Sequence, residues 1–149
     1  MKIAIIDADL IGRKRHRFPN LVCMKLSSYH KDLSDDVTLK TDYDNLDAFD
    51  KVYIAKVFTD TPIPKADPLG LTPDVLSLPN VEYGGTGFYY DKAKPLPSKI
   101  EHCKPDYHLY DDWIADKPKK DTKYYTDYSI GFLTRGCFRH CSFLRQSAL

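Results

Sequence analysis

The chain has 149 residues, of which 42% are hydrophobic and 29% are charged, and its formal net charge is +1. This size fits one domain with its own core, and the near-neutral charge argues neither for a general nucleic-acid binder nor for an acidic tail. The opening apolar run is too short for a signal peptide or a membrane span, so we expect a cytoplasmic protein without a membrane partner.

Strand and helix patterns alternate along the first half of the chain. The apolar run at residues 3–6 predicts a strand buried on both faces, and the β-branched and aromatic residues 51–58 predict another. A helix is predicted from Pro19, because apolar residues then recur at helical spacing. Its apolar face is predicted to carry Val22, Leu26, Tyr29 and Leu33. The other predicted elements are a loop over residues 7–18, strands over 37–40 and 81–83, and a brief helix over 72–78.

Prolines punctuate the second half, which has little periodicity. Residues 91–125 are therefore expected to form an extended C-terminal segment with helical turns near residues 98–102 and 111–115. A last strand is predicted over residues 128–134. Left unpaired, that strand would be an open edge through which two copies could form a homodimer.

The order of these elements predicts a small doubly wound α/β domain, Rossmann-like, with a mostly parallel sheet. Ligands of such sheets bind beyond the carboxyl ends of the strands. The loops expected at that edge are residues 7–17, 58–64 and 84–88.

Two of these loops contain candidate ligand-binding residues. Gly84, Gly85 and Gly87 would let the backbone approach a cofactor closely, although a turn that requires positive backbone angles is the favoured explanation. Their spacing is not that of a dinucleotide fingerprint, and no helix is predicted to follow. A basic run near the end of the first strand could contact a phosphate, or could be a solvated loop; it includes Arg13, Lys14, Arg15 and Arg17.

The four cysteines are Cys23, Cys103, Cys137 and Cys141. Without a secretory signal, metal ligation or free thiols are favoured over disulfides. Cys137 and Cys141 begin a C-x3-C-x2-C pattern, the spacing that holds a 4Fe–4S cluster, but Leu144 stands at the third ligand position. Two other interpretations are free thiols and a zinc site that combines these cysteines with His140 and either Cys103 or His102.

Residues 134–143 resemble the cluster loop of radical S-adenosylmethionine proteins. Two earlier stretches, residues 84–88 and 96–110, resemble the approach to that loop in members with a cobalamin-binding-like N-terminal domain. The resemblance implies a cobalamin-binding-like domain over residues 1–125, and over residues 126–149 the truncated start of a radical S-adenosylmethionine domain.

The resemblance also implies cofactors for an intact parent, namely a 4Fe–4S cluster and S-adenosylmethionine. Leu144 cannot bind iron, and the tail after Phe143 lacks family character, so a changed reading frame or a cut is expected there. We therefore expect an accessory domain with no bound cofactor and no catalytic activity of its own. The parent's substrate, a small molecule or a macromolecule, is not indicated.

Residues 7–12 are comparable with the D-x-H-x-x-G loop of cobalamin-binding domains, which implies Asp9 and Gly12 as cofactor contacts. Because Asp9 replaces the histidine, cobalt ligation is not expected, although cobalamin could bind without a protein ligand. An ordinary loop at the end of a strand is the alternative. For the whole chain, the alternative is a stand-alone α/β module that binds a ligand or another protein.

Overall fold

The computed structural model describes residues 1–13, 18–64 and 74–131 of the chain. Within these residues one sheet contains four strands, which are β1 (Lys2–Asp7), β2 (Asp36–Lys40), β3 (Lys51–Ala55) and β4 (Val81–Gly84). All neighbouring strands are parallel, and their order is β2-β1-β3-β4. The predicted α/β fold with a parallel sheet is confirmed.

Helices of very different length accompany the sheet. The α-helices in the described residues are α1 (Ala8–Gly12), α2 (Leu21–Asp32), α3 (Thr86–Tyr89), α4 (Ser98–Glu101), α5 (Asp111–Ile114) and α6 (Lys119–Thr126). Short 3-10 helices occupy Leu46–Ala48, Val75–Ser77 and Tyr90–Lys92. Only α2 is long enough to cover much of the sheet.

Strand β1 is buried on both faces, as its apolar run predicts. Ile3 and Ile5 face a core formed with α2 and with residues 96–125, whereas Ala4 and Ile6 face a second core. The crossover from β1 to β2 contains α2, and the described residues of the crossover from β3 to β4 pack on the opposite face of the sheet. The chain therefore winds in both directions from the centre, and the strand order reverses between β1 and β3.

Side-chain carboxylates explain two differences from the predicted elements. The predicted loop over residues 7–18 contains α1, because the Asp7 carboxylate accepts the N–H groups of Asp9 and Leu10 and caps this short helix. Strand β3 ends at Ala55 rather than Phe58, because the carboxylate of Asp9 accepts the N–H groups of the residues just beyond Lys56.

The long helix begins at Leu21 rather than Pro19, with the side chain of Asn20 as its N-cap. Leu26 is buried on the predicted apolar face, but Leu33 lies beyond the helix and is 57% exposed. The predicted helical turns near residues 98–102 and 111–115 are confirmed as α4 and α5.

Four other elements differ from the sequence prediction. Helix α3 (Thr86–Tyr89) follows Gly84 and Gly85, where a loop and no helix were predicted. Helix α6 was not predicted, because its polar sequence buries only Thr122 and Tyr125. The predicted helix over residues 72–78 is a 3-10 turn at Val75–Ser77, with residues 72 and 73 outside the described part. Residues 128–131 belong to no strand, and residues 132–134 lie outside the described residues.

The two leucines of the predicted helix face give a test of this fold. We expect Leu26→Ala to lower the free energy of unfolding by about 2–4 kcal/mol, because Leu26 is 5% exposed and packs in the core. Leu33→Ala is the matched control and should change it by less than about 0.5 kcal/mol. Urea denaturation followed by circular dichroism measures both, and equal losses would contradict the packing described.

Candidate functional site

The strand order places a candidate site at the carboxyl edge between β1 and β3. In open parallel sheets, ligands bind at the point where the strand order reverses. Three segments meet there. They are α1 with the residues that precede it, the glycine-containing turn over residues 84–88, which we call the β4 turn, and residues 56–62, which we call the β3 loop.

Asp7 ends β1 and is fully buried. One carboxylate oxygen caps α1, and the other accepts a 2.8 Å hydrogen bond from the hydroxyl of Tyr110. The pKa of this carboxyl is raised to about 6, chiefly by burial and also by the charge of Asp9, while the hydrogen bond from the Tyr110 hydroxyl lowers it. Asp7 is thus a buried carboxyl that titrates near neutral pH.

Asp9 connects α1 to the β3 loop. Its carboxylate accepts the N–H of Val57 at 2.7 Å, the N–H of Phe58 at 3.4 Å, and a short hydrogen bond from the hydroxyl of Thr61. The side chain is 1% exposed, so these protein groups take the place of water. With both oxygens engaged, Asp9 is not placed to coordinate a metal ion.

Three of the candidate glycines also contact the β3 loop. A Cβ at Gly12 would lie 2.6 Å from the side chain of Thr61, and a Cβ at Gly87 would lie 2.5 Å from that of Lys56. Gly85 has a φ of +108°, and a Cβ there would lie 2.3 Å from the carbonyl oxygen of Lys56. The fourth, Gly84, has open space around its Cα and bonds to Lys56 through its carbonyl. Gly12, Gly85 and Gly87 therefore allow close contact between loops.

Lys56 lies at the centre of this arrangement and is 8% exposed. Its ammonium donates to the carbonyl of Thr61 at 2.8 Å and lies 5.1 Å from the ring centroid of Phe88. Its backbone N–H bonds to Gly84, and its carbonyl accepts the N–H of Gly87. Both the side chain and the backbone of Lys56 thus hold the β3 loop against the β4 turn.

One further polar group at this edge, unlike Asp7, Asp9 and Lys56, is buried without a hydrogen-bond partner among the described residues. The hydroxyl of Tyr43, in the chain after β2, is inaccessible and makes no hydrogen bond within the described residues. Burial and the charges of Asp7 and Asp9 raise its pKa. Tyr43 therefore presents a neutral hydroxyl near the two carboxylates.

The predicted phosphate contact is only partly described. Arg13 forms a 2.7 Å ion pair with the exposed Asp60, and its guanidinium carbon lies 4.3 Å from the ring centroid of Phe58. Lys14, Arg15 and Arg17 lie outside the described residues. Arg13 therefore packs against the outer side of the β3 loop, with a carboxylate as its partner.

The predicted metal ligands Cys137 and Cys141, together with His140 and Leu144, also lie outside the described residues. In residues 1–13, 18–64 and 74–131, no group of three or more His, Cys, Asp or Glu side chains is placed to hold a metal ion. Cys103 is half-buried, and its thiol donates to the carbonyl of Lys99.

The sequence interpretation missed Lys56, Thr61 and Tyr110. Thr61 is 52 positions from its partner Asp9, and Tyr110 is 103 positions from Asp7. No local pattern signals such contacts. The nearest signal was the Asp-x-Asp sequence after a buried strand, which indicates two carboxylates at a sheet edge where polar partners are required.

Comparison of the chain with models of protein families, with curated proteins and with solved structures returned no match. The fold defines a small doubly wound α/β protein with a carboxyl edge formed by two buried carboxylates. In the part of the chain that the structure describes, none of the helices has the length and apolar character needed to cross a membrane.

The hydrogen bonds of Asp9 can be tested by mutation. We expect Asp9→Asn to lower the free energy of unfolding by about 2–3 kcal/mol, because it weakens charge-assisted hydrogen bonds to the β3 loop. Asp60→Asn, which breaks the exposed pair with Arg13, is the control and should cost less than about 1 kcal/mol. Chemical denaturation measures both, and similar losses would show that Asp9 does not hold the loop.

The pKa of Asp7 predicts how stability depends on pH. A carboxyl whose pKa is about 6 when folded and 3.8 ordinarily stabilises the fold fully below pH 3.8, and this contribution is lost as the pH rises through 6. The difference corresponds to about 3 kcal/mol at neutral pH. We expect the free energy of unfolding to increase as the pH falls from about 7 to about 5.

Asp7→Asn should abolish that increase, because asparagine does not titrate. Three other carboxyls have lowered pKa values, which are Asp35, Asp42 and Asp106. They stabilise the fold above their ordinary pKa of 3.8, so they lower the free energy of unfolding only when the pH falls below that value. Urea denaturation at several pH values distinguishes the effect of Asp7, expected between about pH 7 and about pH 5, from the effect of the carboxyls with lowered pKa values. An increase that persists in Asp7→Asn would assign the effect to another residue.

Proposed function

We propose that this chain is the N-terminal accessory domain of a radical S-adenosylmethionine iron–sulfur protein. The observation that carries the proposal is the sequence of residues 134–143, in which Cys137 and Cys141 have the spacing of the first two cluster ligands. The doubly wound sheet that precedes them agrees with a cobalamin-binding-like domain in its class of fold.

The role we propose for the α/β domain is structural. The polar groups of its carboxyl edge largely form hydrogen bonds with each other. Groups of the β3 loop donate hydrogen bonds to the carboxylate of Asp9, and the loop packs against Gly12 and Gly85. Cobalt coordination by this loop does not fit, because Asp9 stands at the histidine position with both oxygens engaged. Cofactor chemistry is therefore not assigned to this edge.

We also propose that the accessory domain positions the start of residues 134–143, which we call the cluster-like loop. The hydroxyl of Tyr107 lies 3.3 Å from the backbone nitrogen of Ile130 and 3.4 Å from its carbonyl oxygen. Ile130 precedes the cluster-like loop by only a few residues. In this proposal, holding Ile130 against Tyr107 would limit where the loop can begin.

When bound in an intact member, a 4Fe–4S cluster supplies the electron that cleaves S-adenosylmethionine. Because Leu144 replaces the third thiolate, we propose that this chain does not carry out that reaction alone. A cytoplasmic location belongs to the same proposal, because a reducing compartment keeps cysteine thiols available for iron.

Restoring the third thiolate tests the proposal. We expect the wild-type chain to retain no stable 4Fe–4S cluster after anaerobic incubation with iron and sulfide. Leu144→Cys completes the C-x3-C-x2-C pattern and should allow a cluster to form, with the broad visible absorbance of 4Fe–4S centres and about four irons per chain.

The control is Leu144→Cys combined with Cys137→Ala, which has two thiolates in the loop and should again retain no cluster. A stable cluster in the wild type would refute the predicted inactivity. If Leu144→Cys gains no iron, residues 134–143 are not a cluster loop, and a stand-alone module that binds a ligand or another protein becomes the favoured function.

A further inference from the structure

Residues 98–131, which we call the C-terminal segment, cover α2 without adding a strand to the sheet. The segment contributes four side chains to the core on that face, which are Ile100, Leu109, Tyr110 and Tyr125. One backbone hydrogen bond joins it directly to α2, from the N–H of Asp106 to the carbonyl of Met24 at 3.1 Å. The ladder of the sheet is complete without this segment.

Much of the contact between the segment and α2 is polar. The ammonium of Lys25 donates to the carbonyl of Glu101 at 2.5 Å and to its carboxylate at 2.9 Å. The carboxylate of Asp106 accepts from Ser27 at 2.6 Å and from Lys31 at 2.7 Å. Desolvation offsets much of what such pairs contribute, and polar contacts of this kind are typical of interfaces that separate and re-form.

Tyr110 is the deepest contact of the segment and is 1% exposed. Its hydroxyl accepts the N–H of Asn20 at 3.0 Å and donates to Asp7 at 2.8 Å. Its ring lies 5.2 Å from that of Tyr125 in α6, which in turn lies 5.2 Å from the ring of Trp113. Tyr110 therefore connects the end of β1 to the aromatic core of the segment.

The last part of the segment is less tightly packed. An open cleft of about 330 Å³ lies between residues 107–111 and residues 125–129. Beside it, Tyr124 and Tyr128 stack with their centroids 5.1 Å apart but remain 49% and 46% exposed. The contact of Tyr107 with Ile130 spans this region at hydrogen-bond distances of 3.3 and 3.4 Å.

From these contacts we propose that the C-terminal segment unfolds and refolds locally, as one unit, while the sheet stays folded, and that the Tyr110–Asp7 hydrogen bond holds it closed. Local units of this kind open at a lower free energy than the whole protein. The opening does not depend on the proposed function. Its consequence does, because opening would free Ile130, which precedes the cluster-like loop by a few residues in the sequence, from its contact with Tyr107.

Hydrogen exchange of the full chain, with mass spectrometry of its peptides, tests the proposal with two variants. Val52→Ala leaves a cavity in the core on the face of the sheet opposite the segment, where Val52 is fully buried. It should accelerate exchange in β1 and β3 by about tenfold or more, because those amides exchange through global unfolding. Exchange in residues 98–131 should change by less than about twofold.

Tyr110→Phe should accelerate exchange in residues 98–131 by about tenfold to a hundredfold, because it removes a hydrogen bond to a charged acceptor. Tyr124→Phe is the matched control on the same segment and should have no effect, since that hydroxyl is exposed. If Val52→Ala accelerates the segment as much as the sheet, the two form one cooperative unit and the proposal is wrong.

Unchanged exchange in the segment of Tyr110→Phe would equally overturn the role of this hydrogen bond. Should Tyr110→Phe fail to fold, the comparison of wild type with Val52→Ala still decides whether the segment opens separately. None of these results depends on iron binding, so the proposed function and this inference can fail independently.

Discussion

The carboxyl edge of the sheet depends on two carboxylates that follow β1 two residues apart. Each accepts backbone N–H groups that regular secondary structure leaves unpaired, Asp7 in the first turn of α1 and Asp9 in the β3 loop. Each also accepts a hydrogen bond from a hydroxyl group, Asp7 from that of Tyr110 and Asp9 from that of Thr61. Both side chains are at most 1% exposed, and these hydrogen bonds offset the cost of burying two neighbouring acids.

The glycines at this edge follow from the same constraint. The β3 loop is held by Asp9 on one side and by backbone bonds to the β4 turn on the other. For the loop to fit between them, Gly12 and Gly87 must lack a Cβ, and Gly85 must adopt a positive φ. A glycine-rich turn after a strand is often taken to indicate a ligand, but here it provides the space for a neighbouring loop.

The sequence predicted the parts of the fold that depend on local patterns. The apolar run of β1, the β-branched residues of β3 and the spacing of apolar residues in α2 each indicate their own element. The strand order, in contrast, depends on crossovers that no local pattern determines. The end of β3 was placed too late, because the side chain that ends it, Asp9, lies in a different element.

Buried polar residues were the other source of error in the prediction. Lys25, Ser27 and His30 are buried on α2, although their residue types are usually exposed. His30 bonds to Asp35 at 2.8 Å and to the hydroxyl of Tyr53 at 3.0 Å, and the C-terminal segment supplies the partners of the other two. Polar residues of α2 are therefore buried for a physical reason, since a second layer of the chain covers them and supplies their partners.

That second layer gives a physical reason for the stretch over residues 96–110, which resembles the approach to a cluster loop. Glu101 and Asp106 pair with lysines of α2, Tyr110 reaches Asp7, and Tyr107 contacts Ile130. All four side chains contact either the α/β core or, in the case of Tyr107, Ile130 after α6. Their residue types are thus explained by the contacts that they make within the fold.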